Sequence, residues 1–156
     1  MRSRILTVLF CGLICACADQ ANQERDAEIM RVLDRYLGAL NRLDLEGHMA
    51  TYHFPHYRHA SGKITIWQRA EEMNPVLSLP AADRRAALQE VLEPDWDRTE
   101  WKRREIVQGD ASKVHVVTRF ERLREDGSLI KAFDSLYVMT FEGGRWAIKG
   151  RSSFAP

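Results

Sequence analysis

Four of the chain's five histidines fall in one short stretch, at His48, His53, His56 and His59, beside Tyr52, Tyr57 and Arg58. Imidazoles titrate near neutrality, so such a cluster can move protons or ligate a metal. The His53-x2-His56-x2-His59 spacing invites a metal site, but residues three apart on a strand point to opposite faces. No carboxylate lies between His48 and Arg58, and zinc wants three or four converging ligands. The expectation is no metal, with histidines that are solvated, hydrogen-bonded or engaged in proton transfer. Alternation puts His56 and Arg58 on one strand face and Tyr57 and His59 on the other. Either Arg58 lines a polar pocket wall for an anion or carbonyl, or it lies on an exposed sheet face.

Further along, Trp101, Arg103, Glu105 and Val107 alternate on one face, and His115, Val117, Arg119 and Glu121 on another. Phe133, Ser135, Tyr137, Met139 and Phe141 form an apolar stripe that reads as core or pocket. Trp146, Ile148, Gly150, Ser152 and Phe154 pair with it, while Arg151 and Ser153 face away. Tyr52, Arg58, Trp101 and Arg119 are the candidate substrate contacts. There is no nucleophile elbow, no phosphate-binding glycine loop and no helix carrying paired metal histidines.

The elements that would hold these groups are readable from period and punctuation. Ile29, Leu33, Tyr36, Leu37 and Leu40 recur at helical spacing, predicting an amphipathic helix over 24–43. Asp44 can cap a second helix, with Gly47 at N3, that runs to about Tyr52 and packs on the first. Strands are expected over 54–60 and 63–67 about a Ser61-Gly62 turn, with one or two helical turns at 68–73. Pro80 suits the start of a helix over 81–92. Strands follow over 99–107, 113–124, 129–141 and 145–154, joined by short turns into an antiparallel meander. The class is α+β, with helices on one sheet face.

Residues 1–18 read as an export leader. Arg2 and Arg4 precede the apolar run Ile5 to Ile14, and small residues follow at Ala16 and Ala18. The run is about half the roughly 20 residues that a membrane span needs. Two processing readings stay open. Ala16-Cys17-Ala18 suits cleavage before Asp19, whereas Ile14-Cys15-Ala16-Cys17 resembles a lipobox in which Cys17 is lipidated. Residues 19–25 would form a short tether, and 26–156 the working domain. All three cysteines lie in the leader, so the mature domain has no disulfide, thiol nucleophile or Cys-based metal site. Removing Arg2 and Arg4 from 23 basic residues leaves 21 against 22 acidic ones, a net charge of −1. That balance lacks the basic field that nucleic acids attract. The composition, 45% hydrophobic and 29% charged over 156 residues, is that of one globular domain.

Tyr36-Leu37-Gly38-Ala39-Leu40-Asn41, followed by Asp44-Leu45-Glu46-Gly47, resembles the first-helix motif of the SnoaL-like and ketosteroid-isomerase-like group of the nuclear-transport-factor-2-like superfamily. The resemblance implies a strongly curved antiparallel sheet, wrapped by N-terminal helices into a cone around an apolar pocket. It also implies a possible homodimer through the sheet's outer face. In the steroid isomerases a tyrosine on this helix donates to the developing enolate oxygen, and Tyr36 occupies its place. Tyr137 falls near the second donor, an aspartic acid in those enzymes. Their aspartate base is missing, and its place falls near His59 or Ala60, where a histidine could serve instead.

Two function classes follow. In the first, an exported enzyme isomerises, cyclises or dehydrates a small molecule beside a carbonyl, without metal or organic cofactor. Tyr36 and Tyr137 would stabilise an oxyanion, His56 or His59 would move protons, and Arg58 would orient an acidic group. In the second, a periplasmic or lipid-anchored module binds a small hydrophobic or carbonyl-containing ligand, or a protein, without turnover. Its only membrane contact would be the lipid. A third option is an immunity or envelope-assembly partner with a large complementary surface.

Overall fold

The computed structural model describes the backbone of residues 6–154 and the side chains of residues 19–154. The elements are α1 (Leu6–Asn41), α2 (Leu45–Met49), β1 (Tyr52–Ala60), β2 (Lys63–Trp67), α3 (Ala70–Met73) and α4 (Ala81–Glu90). The strands β3 (Arg98–Gly109), β4 (Lys113–Leu123), β5 (Leu129–Glu142) and β6 (Arg145–Ser153) complete the chain. The six strands form one open sheet in the order β2-β1-β6-β5-β4-β3. Helices cover one face, giving the expected α+β class. Residues 1–5 of the expected leader, and the side chain of Cys17, lie outside the described residues. No helix among the described residues is long and apolar enough to cross a membrane.

The meander β3 to β6 is antiparallel throughout. One pairing departs from an all-antiparallel sheet: β1 lies parallel to β6. The physical reason is the connection. The chain from β1 returns through β2, α3 and α4 before the meander begins, so β1 meets the last strand rather than a hairpin neighbour.

α1 buries Ile29, Val32, Leu33, Tyr36 and Leu37 against the sheet, the three- and four-residue spacing of one helix face. Its end is pinned to β3 by Asn41, whose side-chain amide donates to the Thr99 carbonyl and whose carbonyl accepts from the Thr99 N–H, both at 2.9 Å. Leu43 then adopts a left-handed conformation (φ 56°), and the Asp44 N–H closes onto the Ala39 carbonyl at 2.9 Å. The Asp44 carboxylate accepts from the Gly47 N–H at 2.9 Å, capping α2 as expected. This helix ends at Met49, short of Tyr52, because Thr51 turns back onto the His48 carbonyl and β1 begins.

Bulges decide which strand residues face the helices. Trp101 pairs with Phe120 and Arg103 with Arg119, leaving Lys102 as an extra residue in β3. Trp101 therefore faces inward with Arg104 and Ile106, while Arg103, Glu105 and Val107 turn to solvent. In β6, Ile148 pairs with Met139 and Gly150 with Val138, so Lys149 is the extra residue. The inward face thus runs Trp146, Ile148, then Arg151 and Ser153. This corrects the expected alternation, in which Gly150, Ser152 and Phe154 shared the inner face and Arg151 faced away. The inner stripe of β5 holds from Phe133 to Met139, but Phe141 is exposed at 47% and Phe154 at 92%.

Candidate functional site

Between α1, α2, α4 and the concave sheet face lies a cavity of about 410 Å³. Its apolar wall comes from Leu40, Leu45, Met49, Leu88 and Phe133. Its polar groups include Tyr36, His48, Tyr52, Arg58 and Arg151, brought from α1, α2, β1 and β6. A concavity that joins an apolar wall to converging polar and charged groups can serve as a small-molecule site.

Tyr36 lines this cavity, and Tyr137, fully buried, stands behind it. The Tyr137 hydroxyl donates to the Tyr36 oxygen at 3.4 Å, and Arg151 Nη1 stands 3.5 Å from each phenol oxygen. The Arg151 guanidinium also lies 5.8 Å from the centre of the Tyr137 ring. Tyr137 is fully buried, and burial together with the nearby Tyr36 oxygen raises its pKa despite the opposing charge of Arg151. Burial raises Tyr52 in the same way. Both therefore stay neutral and keep a proton to donate. Burial works against the Arg151 charge, and the oxygens of Tyr137, Tyr36 and Tyr52 outweigh it, so the group remains a cation. Arg58 is lowered by burial and by the nearby Arg151 charge.

His48 adds a second polar arm. Its Nδ1 lies 2.9 Å from the Tyr36 carbonyl, which can only accept, so Nδ1 carries the proton. Nε2 is then the acceptor, 3.4 Å from the Tyr52 hydroxyl. Burial pushes the His48 pKa down to about 4, so the ring is neutral near pH 7. The rings of Tyr36 and His48 sit 4.4 Å apart.

The other expected residues go elsewhere. His56 is buried at 1% exposure, with Nδ1 3.3 Å from the Ile148 carbonyl and its ring stacked 6.0 Å from Trp67, and it does not line the cavity. Burial pushes its pKa down to about 4. His59 is exposed beside Ser152 and Phe154, outside the cavity. Trp101 packs behind the tyrosines, 5.9 Å from Tyr36 and 6.1 Å from Tyr137, and donates from its indole N–H to the Leu33 carbonyl. Arg119 lies on the outer face, bonded to Asp134 at 2.7 Å. The structure thus unites Tyr36, Tyr137, Tyr52 and Arg58, and separates His56, His59 and Arg119 from them. Among the described residues no three His, Cys, Asp or Glu side chains cluster as a metal site.

Two cavity residues escaped sequence reasoning. His48 stood in the histidine cluster without a role, although its place on the Asp44-capped turn was readable. Arg151 was turned away by simple alternation. Gly150 beside it was the available signal, because a glycine inside a strand often marks a bulge.

No curated protein sequence matches this chain. Among solved structures, an NTF-2-like protein of unknown function from Shewanella oneidensis MR-1 is similar at 18% identity, with a TM-score of 0.62, covering 84% of this chain and 99% of that one. A ketosteroid isomerase-like protein from Erwinia carotovora atroseptica is similar at 19% identity and a TM-score of 0.53, covering 83% and 96%. A protein of unknown function with a cystatin-like fold from Nostoc punctiforme aligns at 17% identity and a TM-score of 0.61, covering 84% and 90%. These likenesses carry the fold alone. The sequence matches a family profile over residues 25–152, and on that match the chain belongs to the family described as NTF2-like protein (DUF6841).

Proposed function

We propose that this protein binds a small carbonyl-containing molecule in the cone, with the ligand oxygen held by the Tyr36 hydroxyl, which the Tyr137 hydroxyl supports from behind. The observation that carries this reading is the Tyr36 hydroxyl on the cavity wall, with the buried Tyr137 phenol 3.4 Å behind it. Neutral phenols in a dry site polarise a carbonyl without reorganising solvent, and a single such donor is worth about 3 kcal/mol when charge develops on that oxygen. The test is ligand binding by calorimetry to the wild type and to a Tyr36→Phe/Tyr137→Phe variant. A neutral aryl ketone should bind the wild type and lose at least tenfold in affinity in the variant. Equal affinity would remove the reading.

One observation favours turnover over capture. His48 presents an unprotonated Nε2 at the same cavity, so it can accept a proton from a carbon beside the held carbonyl. Isomerisation, cyclisation or dehydration would then proceed by acid-base chemistry, with Tyr52 relaying the proton. Exchange of the ligand's α-hydrogens in deuterated water, followed by NMR, should be fast in the wild type and lost in His48→Gln. Exchange unchanged in that variant removes His48 as the base, and exchange no faster than in buffer with the wild type leaves the non-catalytic binding module as the function. The leader features of residues 1–18 support a place outside the cytoplasm, which cell fractionation and fatty-acid labelling at Cys17 would check.

A further inference from the structure

We propose that the ligand of this cavity carries a carboxylate and that Arg151 is its anchor; the inference rests on the small-molecule reading above and narrows its ligand class.

Arg151 carries its charge among neutral groups. Arg98, Arg103, Arg104, Arg119 and Arg122 on the same sheet each have a carboxylate partner. Arg151 forms no ion pair among the described residues. Its Nε is buried and has no hydrogen-bond partner among the described residues. Its Nη1 reaches two neutral phenol oxygens at 3.5 Å, the long limit of a hydrogen bond. A part-buried guanidinium held only by neutral oxygens on a cavity wall is open to an anion that would complete it.

The acids lining the cavity are already engaged. Glu93 bonds to Arg122, and Asp44 caps α2 through the Gly47 N–H. Lys131, a further cation of the lining, stands over the Phe133 ring at 5.3 Å. The cavity is therefore short of negative charge. A carboxylate suits the gap because its two oxygens match the planar guanidinium fork. Its remaining lone pairs can accept from the Tyr36 or Tyr52 hydroxyls. The apolar wall of Leu40, Leu45, Met49 and Phe133 takes a hydrocarbon body. The ligand class is a monocarboxylate with an aryl or alkyl body.

The test titrates the full chain with 4-phenylbutyrate and two neutral isosteres, 4-phenylbutanamide and 5-phenyl-2-pentanone. Wild type should prefer the carboxylate over the amide by roughly 10–100-fold, the worth of hydrogen bonds to a charged group. In Arg151→Gln the two should bind within about threefold of each other, and Arg151→Lys should keep part of the preference. Circular dichroism checks that each variant is folded. Equal binding of carboxylate and amide to the wild type overturns the anchor, as does a preference that survives Arg151→Gln. The ketone separates the two readings: if it binds through Tyr36 and Tyr137 while the carboxylate shows no advantage, the anchor alone fails. If no probe binds the folded wild type, both fail.

Discussion

Arg119 and Arg151 sit on strands of one sheet, and almost nothing else about them agrees. Arg119 lies on the outer face, bonded to Asp134 at 2.7 Å and 3.7 Å from Glu121, with 40% of its side chain exposed. Arg151 lies on the inner face among phenols, with a buried and unsatisfied Nε. The outer face spreads its charges in pairs, as Arg103–Glu105 and Lys102–Glu100 also show. Such pairs keep a sheet face wet and contribute little to stability. The inner face instead holds Arg151 against neutral phenols, with Arg58, Arg122 and Lys131 on the same cavity wall. An arginine's meaning is set by what stands within 4 Å of it, not by its strand or its neighbours in sequence.

The contrast can be broken most severely by acid. His48 and His56 both have pKa values pushed down to about 4 by burial, and burial also lowers His53. The unfolded chain binds protons near pH 6.5, so it takes them up before the folded state does. Stability is fully present above that value and falls as pH drops toward 4. Between pH 7 and 5 each of the two histidines should cost about 2 kcal/mol. Urea unfolding across this range should show the loss, and His48→Gln should remove about half of it. A pH-independent midpoint would mean that the interior is wetter than its geometry implies.

Asn41→Ala comes next. It deletes both bonds to Thr99 and should cost about 2 kcal/mol in chemical denaturation. Because α1 carries Tyr36, ligand affinity should fall as well. Gly150→Ala attacks the outer side of the bulge that aims Arg151 inward. A Cβ there would stand 2.0 Å from the Tyr57 ring, which must swing aside. The expected loss is about 1 kcal/mol, with recovery in a Tyr57→Ser background.

The finest test is the pair of arginines itself. Arg151→Met should change stability by less than about 1 kcal/mol, because the guanidinium is held by long contacts to neutral phenols rather than by an ion pair. The same change should abolish any preference for a carboxylate. Arg119→Met should move stability by less than about 0.5 kcal/mol and leave binding untouched. A large loss from Arg119→Met, or from Arg151→Met, would show that the two faces are not divided as described.

Much of the scaffold was legible in the residues. The helix face around Leu33 and Tyr36, the Asp44 cap, the Ser61-Gly62 turn and the antiparallel meander all follow from period and turn chemistry. These are local signals, each written within one element. The tyrosine pair was reached through a resemblance rather than through periodicity, which cannot tell a pocket phenol from a core one. His56 read as a free base from its type, but its ring is spent on the Ile148 carbonyl of a strand 92 residues away. His48 shows the reverse case, an overlooked ring that the short α2 turns into the cavity.

By itself, then, the sequence determined where helices and strands form, which faces are apolar, and that a phenol-bearing helix packs on a curved sheet. Only the tertiary structure decided that β1 runs parallel beside β6, and that Lys149 is an extra residue in its strand. That single insertion reverses the facing of every residue after it, and so brings Arg151 rather than Gly150 to the phenols. Strand facing has a period of two, and one bulge flips it; the pairing that creates the bulge lies on another strand, where no local pattern can record it.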